Sequence, residues 1–313
     1  MLEPHSSFVD ADNLRLHYLE WDPEYISQSL TADAAAPESD ENMDNIPVVL
    51  LHGLAATADT WRLTAEALYP RHFALAFDLR GHGLSDQPAS GYDPVTIAED
   101  VISGMAKLGL GQVAVVGHGW GARVALVLAA RHPALVSHLV LVDCPHVEPR
   151  HWPGMTRERF IREKISNDIY PSKQEYLQAL RKELPFNWSP GVEEIVQTYV
   201  QELSDGTVQE RLRPEQQCAI RESLWEDRAL LYYSKLSCPV LLIPAADRPV
   251  PGEELPERLE HADEFAAAKG QMAAQVARAI QRCSVLWMPE TSHDIQLQRP
   301  QVLADAIANF LQE

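Results

Sequence analysis

The chain has 313 residues, 46% of them hydrophobic, and a formal net charge of −19 at neutral pH. This length fits one large domain or a core with an insertion, and the apolar content suffices for a sizeable core. The acidic balance argues against nucleic acid and anionic membranes as partners. No apolar run could span a bilayer, and the first residues form no signal-peptide pattern. We therefore expect a cytoplasmic protein, monomeric or homodimeric, without a nucleic-acid or membrane partner.

The cysteines are scattered along the chain and form no Cys-x-x-Cys pair; they are Cys144, Cys218, Cys238 and Cys283. This pattern is typical of free thiols in a reducing compartment rather than of a disulfide framework. We therefore expect these thiols to be buried and unpaired.

The first hundred residues alternate strands with helices. Residues 7–21 alternate around the polar turn at 10–13, which predicts a hairpin. Residues 23–45 are acidic, rich in Ala and Ser and without periodicity, so we expect a mobile surface loop. Strands are predicted at 46–51 and 73–77, and helices at 57–68 and 95–108. This alternation is typical of a parallel, doubly wound sheet.

The middle of the chain carries the most informative stretch, from Val113 to Asp143. Val113–Val116 is a short apolar run that predicts a strand buried on both faces. The turn Gly117-His118-Gly119-Trp120-Gly121 follows, and then an apolar helix at 122–131. A second buried strand is predicted at 139–142. It ends at Asp143, at the sheet edge where open α/β sheets place their sites.

This glycine turn has the frame of a nucleophile elbow, Gly-x-Ser-x-Gly. The outer glycines of such a turn allow strand and helix to pack closely, and its middle residue takes a positive φ. Here the middle residue is Gly119, which has no side chain and cannot act as a nucleophile. The sequence therefore predicts the elbow without its reacting group.

The remaining sequence first interrupts the alternation and then resumes it. Residues 145–235 have a helical pattern and concentrate aromatic side chains, Trp152 and Trp188 among them. A strand is predicted at 239–243, just before Asp247, and a helix at 265–281. The last strand, at 284–288, leads to His293. A closing helix is predicted at 300–311.

Four segments together resemble the α/β-hydrolase family. They are LLHGLAATADTW, FDLRGHGLSD, VVGHGWGARVAL and TSHDIQLQRP, in that family's order and over nearly the whole chain. The resemblance is greatest to soluble ester hydrolases with a lid. It implies a mostly parallel eight-stranded sheet with helices on both faces, formed by residues 1–144 and 236–313, and a helical cap at 145–235. In such proteins the cap provides apolar walls for a substrate, so Trp61, Trp152 and Trp188 are candidate pocket residues.

The resemblance also implies roles for individual residues. His293 follows the last strand and corresponds to the general base. Asp247 follows the seventh strand, the family's usual acid position, and is favoured over Asp143 after the sixth, although chain order alone does not separate them. The backbone N–H groups of Leu54 and Trp120 correspond to the oxyanion donors. The resemblance implies no metal or organic cofactor for this chain.

A second group of polar residues at strand ends is expected to serve the scaffold. These residues are His52, Asp78, Arg80 and His82. Polar side chains in such positions usually satisfy backbone groups of the loops around a site. We therefore do not assign them to the reaction.

The family's chemistry predicts hydrolysis of an ester-like bond in a fairly apolar small molecule, and Gly119 leaves three explanations open. The chain is an inactivated variant, a natural non-catalytic relative that binds a small molecule, or an enzyme in which His293 activates water. The Gly-x-x-Trp-Gly-Ala-Arg segment also resembles epoxide hydrolases and haloalkane dehalogenases, which use Asp at the elbow. Leu54, however, stands where haloalkane dehalogenases commonly carry Asn.

An alternative of another class is dinucleotide binding. Gly117, Gly119 and Ala122 fit the Gly-x-Gly-x-x-Ala fingerprint, and Asp143 follows about twenty residues later. The position in mid-chain and the bulk of Trp120 argue against it. The His-Gly and His-Asp motifs would also have no explanation.

Overall fold

The computed structural model describes residues 3–12, 14–21, 46–69, 71–144, 148–152, 154–162, 165, 168–184, 186–246 and 271–313. The predicted loop at 23–45, Asp247 and the first part of the helix predicted at 265–281 lie outside the described residues. No helix in the described ranges is both long and apolar enough to cross a bilayer. All four cysteines lie within these ranges, and each is a free thiol; Cys144 and Cys238 are buried as expected, whereas Cys218 and Cys283 are half-buried.

The strands of the described chain are β1 (His5–Ala11), β2 (Leu14–Trp21), β3 (Val48–Leu51), β4 (Ala74–Phe77), β5 (Val113–His118), β6 (Val136–Val142), β7 (Ile169–Tyr170), β8 (Val200–Glu202), β9 (Val208–Glu210), β10 (Val240–Ile243), β11 (Ala245–Ala246), β12 (Cys283–Val285) and β13 (Met288–Pro289). Eight of them form one sheet in the order β1-β2-β4-β3-β5-β6-β10-β12. The pairs β1–β2 and β2–β4 are antiparallel, and the other pairs are parallel. The predicted doubly wound, mostly parallel sheet is confirmed.

The helices are α1 (Arg62–Leu68), α2 (Pro94–Lys107), α3 (Trp120–Arg131), α4 (Arg157–Arg162), α5 (Lys173–Glu183), α6 (Pro190–Gln197), α7 (Pro214–Glu226), α8 (Ala229–Tyr233), α9 (271–279), α10 (Ile295–Gln298) and α11 (Pro300–Phe310). Short 3-10 helices lie at Ala58–Trp61 and Pro149–His151. Asp93 caps α2 by accepting hydrogen bonds from two N–H groups of its first turn. The boundaries predicted for this helix, 95–108, are accurate to within one residue.

Two hydrophobic layers cover the two faces of the sheet, because alternate side chains of each strand point in opposite directions. Val49 and Leu51 face the layer formed with α2 and α3. Val48 and Leu50 face the layer formed with α1 and α11. The central strands therefore lie between helices on both sides, which accounts for their continuous apolar runs.

A segment between β6 and β10, which we call the insert (described residues 148–235), departs from the sequence prediction. It contains α4 to α8, as the helical pattern indicated, but also a small antiparallel sheet in the order β7-β9-β8. These strands have only two or three residues each. Such strands are too short to show the alternation of polar and apolar residues that identifies a strand, so the sequence does not predict them.

Two strand boundaries also differ from the prediction. β6 begins at Val136, three residues earlier than expected, because the polar pair before Leu139 lies at the half-buried start of the strand. The predicted last strand is divided in two: β12 ends at Val285, and β13 pairs with β11 in a separate ladder. β13 leads the chain towards His293.

The elbow between β5 and α3 is as tight as its glycines predict. A Cβ added to Gly117 would lie 2.4 Å from the carbonyl oxygen of Gly121, and one added to Gly121 would lie 2.3 Å from that of Leu51. Both contacts are with backbone atoms, which cannot rotate away. Strand and helix can therefore approach this closely only with glycine at these two positions.

We expect Gly117→Ala to lower the free energy of unfolding by about 2–3 kcal/mol, because its methyl group overlaps backbone atoms. Chemical denaturation measures this change. Gly111→Ala is the matched control, since a Cβ there meets no atom within 4 Å, and it should change stability by no more than about 0.5 kcal/mol. An equal loss in both variants would contradict the close packing described for the elbow.

Candidate active site

The elbow presents Gly119 at the carboxyl edge of the sheet. Gly119 has φ 52° and ψ −111°, and it caps the N-terminus of α3. Its N–H donates to the carbonyl of Val142 at 3.1 Å, which ties the turn to the end of β6. Positive φ is easily adopted by glycine and strains other residues, so Gly119 relaxes a turn that retains the elbow conformation.

His293 lies directly over this glycine. A Cβ built on Gly119 would be 3.2 Å from Nε2 and 3.3 Å from Cε1 of His293. The side chain of His293 is 56% exposed, so water reaches the ring. The predicted elbow and the predicted histidine thus meet, although 174 positions of the sequence numbering separate them.

Asp143 holds the other nitrogen of this ring. His293 Nδ1 and Asp143 Oδ2 are 2.7 Å apart, and the N–H of Ala245 donates to Asp143 Oδ1 at 2.9 Å. The carboxyl group is almost fully buried, and its two hydrogen bonds favour the ionised form. A carboxylate only accepts, so Nδ1 carries the proton, and Nε2, which faces Gly119, is the acceptor nitrogen of the ring.

Of the two candidate acids, Asp143 and Asp247, the structure describes only Asp143. Asp143 contacts the histidine, whereas Asp247, which the sequence analysis favoured, lies outside the described residues. The non-glycine residue Asp143 also has φ 40°. Positive φ in such a residue is uncommon and tends to occur at functional sites, where surrounding contacts enforce it.

Leu54 and Trp120 flank the same point. Trp120 is the first residue of α3, and the first N–H groups of a helix have no acceptor within the helix. Leu54 directly follows Gly53, whose Cα is 3.8 Å from the Cβ position at Gly119. The side chain of Trp120 is buried in a hydrophobic cluster.

The three candidate pocket tryptophans lie in different places. Trp61 has no exposed surface and packs with Ala65 and Leu68 in the core beneath the sheet, so it lines no pocket. A tryptophan at a helix start gives no sequence signal that distinguishes core from pocket. Trp152 and Trp188 belong to the insert and are partly exposed.

Two neighbours of His293 were not singled out from the sequence. The ring of His118 lies 4.4 Å from that of His293, centroid to centroid, and His118 Nε2 is 3.0 Å from the carbonyl oxygen of His293. Gln296 is fully buried beside His118. Position in the sequence was the signal that could have identified them, because His118 directly precedes Gly119 and Gln296 lies three residues after His293.

The four expected scaffold residues do hold loops. Asp78 accepts hydrogen bonds from the N–H groups of Ala58 and Leu84, and His52 Nε2 accepts one from the N–H of Leu79 at 3.0 Å. Arg80 forms an ion pair with Asp100, 2.7 Å long, and His82 Nδ1 forms a hydrogen bond with the carbonyl of Arg80. None of these contacts involves His293.

Several histidines are buried in uncharged form. Burial lowers the pKa of His82 to about 3, and burial also lowers the pKa of His52. Burial, followed by the neighbouring His293, lowers the pKa of His118 to about 4. The unfolded chain binds protons at these groups near pH 6.5, so it takes up more protons than the folded chain below that pH.

We therefore expect stability to be greatest above pH 6.5 and to fall as the pH decreases towards 4. Each such histidine contributes a slope of up to about 1.4 kcal/mol per pH unit. His82→Phe, which retains an aromatic ring on His52 but cannot titrate, should make the decline less steep. Denaturant unfolding between pH 4 and 7 measures this, and identical slopes in both proteins would contradict it.

In the described part of the chain, no group of three or more His, Cys, Asp or Glu residues could hold a metal ion. The site therefore consists of an imidazole, a carboxylate and backbone N–H groups around a glycine. This arrangement can abstract a proton from a molecule above Gly119 and can hold a developing negative charge.

Comparison with known proteins agrees with this description. Residues 46–164 match the family model described as alpha/beta hydrolase fold. A soluble epoxide hydrolase of Corynebacterium sp. (strain C12) is 40% identical over 97 residues, 31% of this chain and 34% of that protein. The chain thus spans about a third of the length of that relative. Epoxide hydrolase 3 of Xenopus tropicalis is 26% identical over 275 residues, 85% of this chain and 71% of that protein.

Solved structures extend the likeness to the whole chain. The crystal structure of E-2-(acetamidomethylene)succinate hydrolase superimposes with a TM-score of 0.77 and covers 99% of this chain and 100% of that one, at 19% identity. An identity this low is evidence for the fold alone. The family model and the solved structure agree, and the chain is a protein of the α/β-hydrolase fold.

Proposed function

We propose that this protein hydrolyses an ester-like bond in a fairly apolar small molecule, with His293 as general base, Asp143 as its partner and water as the nucleophile. One observation carries the proposal: Nε2 of His293 lies 3.2 Å from the point where Gly119 would carry a Cβ. A water oxygen beside this position, in van der Waals contact with Gly119 Cα rather than at the Cβ position itself, would be within hydrogen-bonding distance of Nε2. The missing side chain leaves room for this water.

The reaction then follows from the geometry of the site. Nε2 takes a proton from water as the water oxygen attacks the carbonyl carbon of the substrate. The N–H groups of Leu54 and Trp120 hold the resulting oxyanion. His293 next returns the proton to the departing alkoxide, which leaves an acid and an alcohol. Asp143 remains ionised throughout, and it orients the ring and stabilises its charged form.

The insert serves as the cap over this site in the proposal. Its tryptophans Trp152 and Trp188 are partly exposed and would supply apolar surface to a substrate. Trp188 is fixed by a hydrogen bond from its indole N–H to the carbonyl of Leu184, 3.2 Å long. An apolar wall of this kind favours substrates with hydrocarbon groups beside the reacting bond.

Epoxide opening is the second candidate, since epoxide hydrolases are among the relatives of this chain. Epoxide hydrolases, which the elbow segment of this chain resembles, carry Asp at the middle of the elbow, whereas this chain has Gly119 there. Dinucleotide binding has little support, because the ring of His293 occupies the space above the glycine turn where a pyrophosphate would lie. Ester hydrolysis by water needs only the groups that the site contains.

Turnover of short-chain p-nitrophenyl esters tests the proposal. The protein should exceed the buffer rate by about 10²–10⁴-fold, the range of general-base catalysis, and His293→Ala should remove this excess. His132→Ala is the matched control, because His132 is partly exposed and lies at the C-terminal end of α3, the end opposite Gly119. Turnover that survives His293→Ala, or that never exceeds buffer, would contradict the proposal.

The acid can be identified in the same assay. Asp143→Asn should remove most of the excess over the buffer rate, because an amide no longer enforces the tautomer in which Nε2 accepts a proton. Asp247→Asn should change it by less than tenfold. The reverse order of effects would assign the acid to Asp247, as chain order suggested.

A further inference from the structure

The ring of His118 lies against that of His293 and has no part in the reaction proposed above. The ring centroids are 4.4 Å apart, and the planes are inclined by 42°. His118 is 2% exposed, so it touches neither solvent nor a substrate. It ends β5, directly before Gly119. A polar ring buried at this point needs a structural or functional reason.

His118 makes a directed hydrogen bond to the backbone of the base. Its Nε2 is 3.0 Å from the carbonyl oxygen of His293, and the same oxygen accepts the N–H of Ile295 at 3.0 Å. A carbonyl only accepts, so Nε2 of His118 carries the proton. Since its pKa is about 4, the ring is neutral near pH 7 and adds no charge beside the base.

The tautomer of His118 is consistent with its second neighbour. With the proton on Nε2, Nδ1 is an acceptor, and the amide nitrogen of Gln296 lies 3.4 Å from it. This amide also donates to Thr60 Oγ1 at 3.2 Å, and Thr60 Oγ1 accepts the hydroxyl of Tyr199 at 3.0 Å. Gln296 and Thr60 are fully buried. A chain of polar contacts therefore runs from the proposed base, His293, to Tyr199 in the insert.

Gly53 makes room for this arrangement. A Cβ on Gly53 would lie 2.8 Å from Nδ1 of His118, which is closer than real Cβ contacts. The glycine of the His-Gly pair after β3 is thus required by the ring of His118. This gives the motif a physical reason that its place in the sequence did not reveal.

We propose that His118 is a positioning residue that holds the ring of His293 so that Nε2 faces the space above Gly119, and that Gln296 holds His118 in turn. The inference rests on the proposed function, because it concerns the placement of the proposed base. Loss of the contact would let the loop after β13 shift, and a base displaced by about 1 Å can lose a large part of its effect.

His118→Gln and His118→Leu form a matched pair of variants, since glutamine retains an N–H donor and leucine has none. The first readout is the downfield proton resonance of His293 Nδ1–H, shared with Asp143 and assigned by its loss in His293→Ala. We expect this resonance in the unchanged protein and in His118→Gln. In His118→Leu it should be broadened or lost. This measurement requires no turnover and therefore stands even where the proposed activity fails.

The second readout is ester turnover in the Gly119→Ser background. His118→Leu should lower kcat about tenfold with KM within twofold, because a positioning residue affects the reacting base rather than substrate binding. His118→Gln should stay within threefold of the parent. An unchanged resonance and kcat in His118→Leu would overturn the proposal, as would a rise in KM alone.

Gln296→Met replaces His118→Leu where the leucine variant does not fold. Methionine has a similar length and no donor, so the resonance should broaden and kcat should fall about threefold. No change in either quantity would overturn the proposal. Absence of ester turnover from both the glycine and the serine proteins would count against the proposed function, while the resonance still decides the role of His118.

Discussion

Gly119→Ser is expected to raise ester turnover by about three orders of magnitude. The backbone already has the elbow conformation, and a Cβ at this position would lie 3.2 Å from Nε2 of His293. The added hydroxyl would therefore have its base in contact. In serine hydrolases, removal of the catalytic triad lowers kcat by about a millionfold, and the residual rate comes from the oxyanion hole and substrate binding. Water activated by a histidine restores only part of the lost rate. Steady-state hydrolysis of p-nitrophenyl acetate measures the change.

Gly119→Ala is the control, because it adds the same Cβ without a nucleophile and should not exceed the glycine protein. His293→Ala in the serine background should abolish the gain. Equal turnover in the glycine and serine proteins would contradict this expectation, since it would mean that the added hydroxyl does not react. Gly119→Asp tests the other parent chemistry, since epoxide turnover in that variant alone would indicate an aspartate enzyme.

Asp78→Ala is expected to lower the free energy of unfolding by about 3–5 kcal/mol, as measured by denaturant unfolding. The carboxyl group is 2% exposed and 2.7 Å from His17 Nδ1. It also accepts the N–H groups of Ala58 and Leu84 at 2.7 and 2.9 Å. Removing it leaves these donors buried without an acceptor, and each unsatisfied group carries its own desolvation cost.

The protonation of Asp78 supports this expectation. Burial alone would raise its pKa, but the hydrogen bond from His17 and the nearby histidines more than offset burial, and the pKa is lowered. A lowered pKa means that the ionised carboxylate stabilises the folded chain above about pH 4 and that this contribution is lost in acid. Asp305→Ala is the control, because Asp305 is half exposed and should change stability by no more than about 0.5 kcal/mol. A small effect of Asp78→Ala would contradict the network.

The alternation of buried strands and helices was readable from the sequence because strands that lie between two helical layers are apolar throughout. β3, β5 and β10 are such strands. The small sheet of the insert was not readable, since two-residue strands such as β7 leave no period. β11 was missed for the same reason, and the sequence did not show that the last predicted strand divides into β12 and β13.

The candidate site was partly predictable for a different reason. Chain order placed Gly119, His293 and Asp143 after three strands that end at one edge of the sheet, and the structure brings these residues together. Chain order could not show that His118 would lie under His293, because that contact depends on how a loop folds back over the elbow. Nor could it separate Trp61, in the core, from Trp152 and Trp188, the partly exposed tryptophans of the insert.

The conformation of Gly119 also has a genetic consequence. Two glycine codons, GGU and GGC, differ by a single base from serine codons and by a single base from aspartate codons. Either replacement would be strained at φ 52°, which is the strain that a nucleophile elbow imposes on its middle residue. Where Gly119 is encoded by GGU or GGC, one nucleotide substitution would therefore place a serine or an aspartate side chain opposite the paired His293 and Asp143.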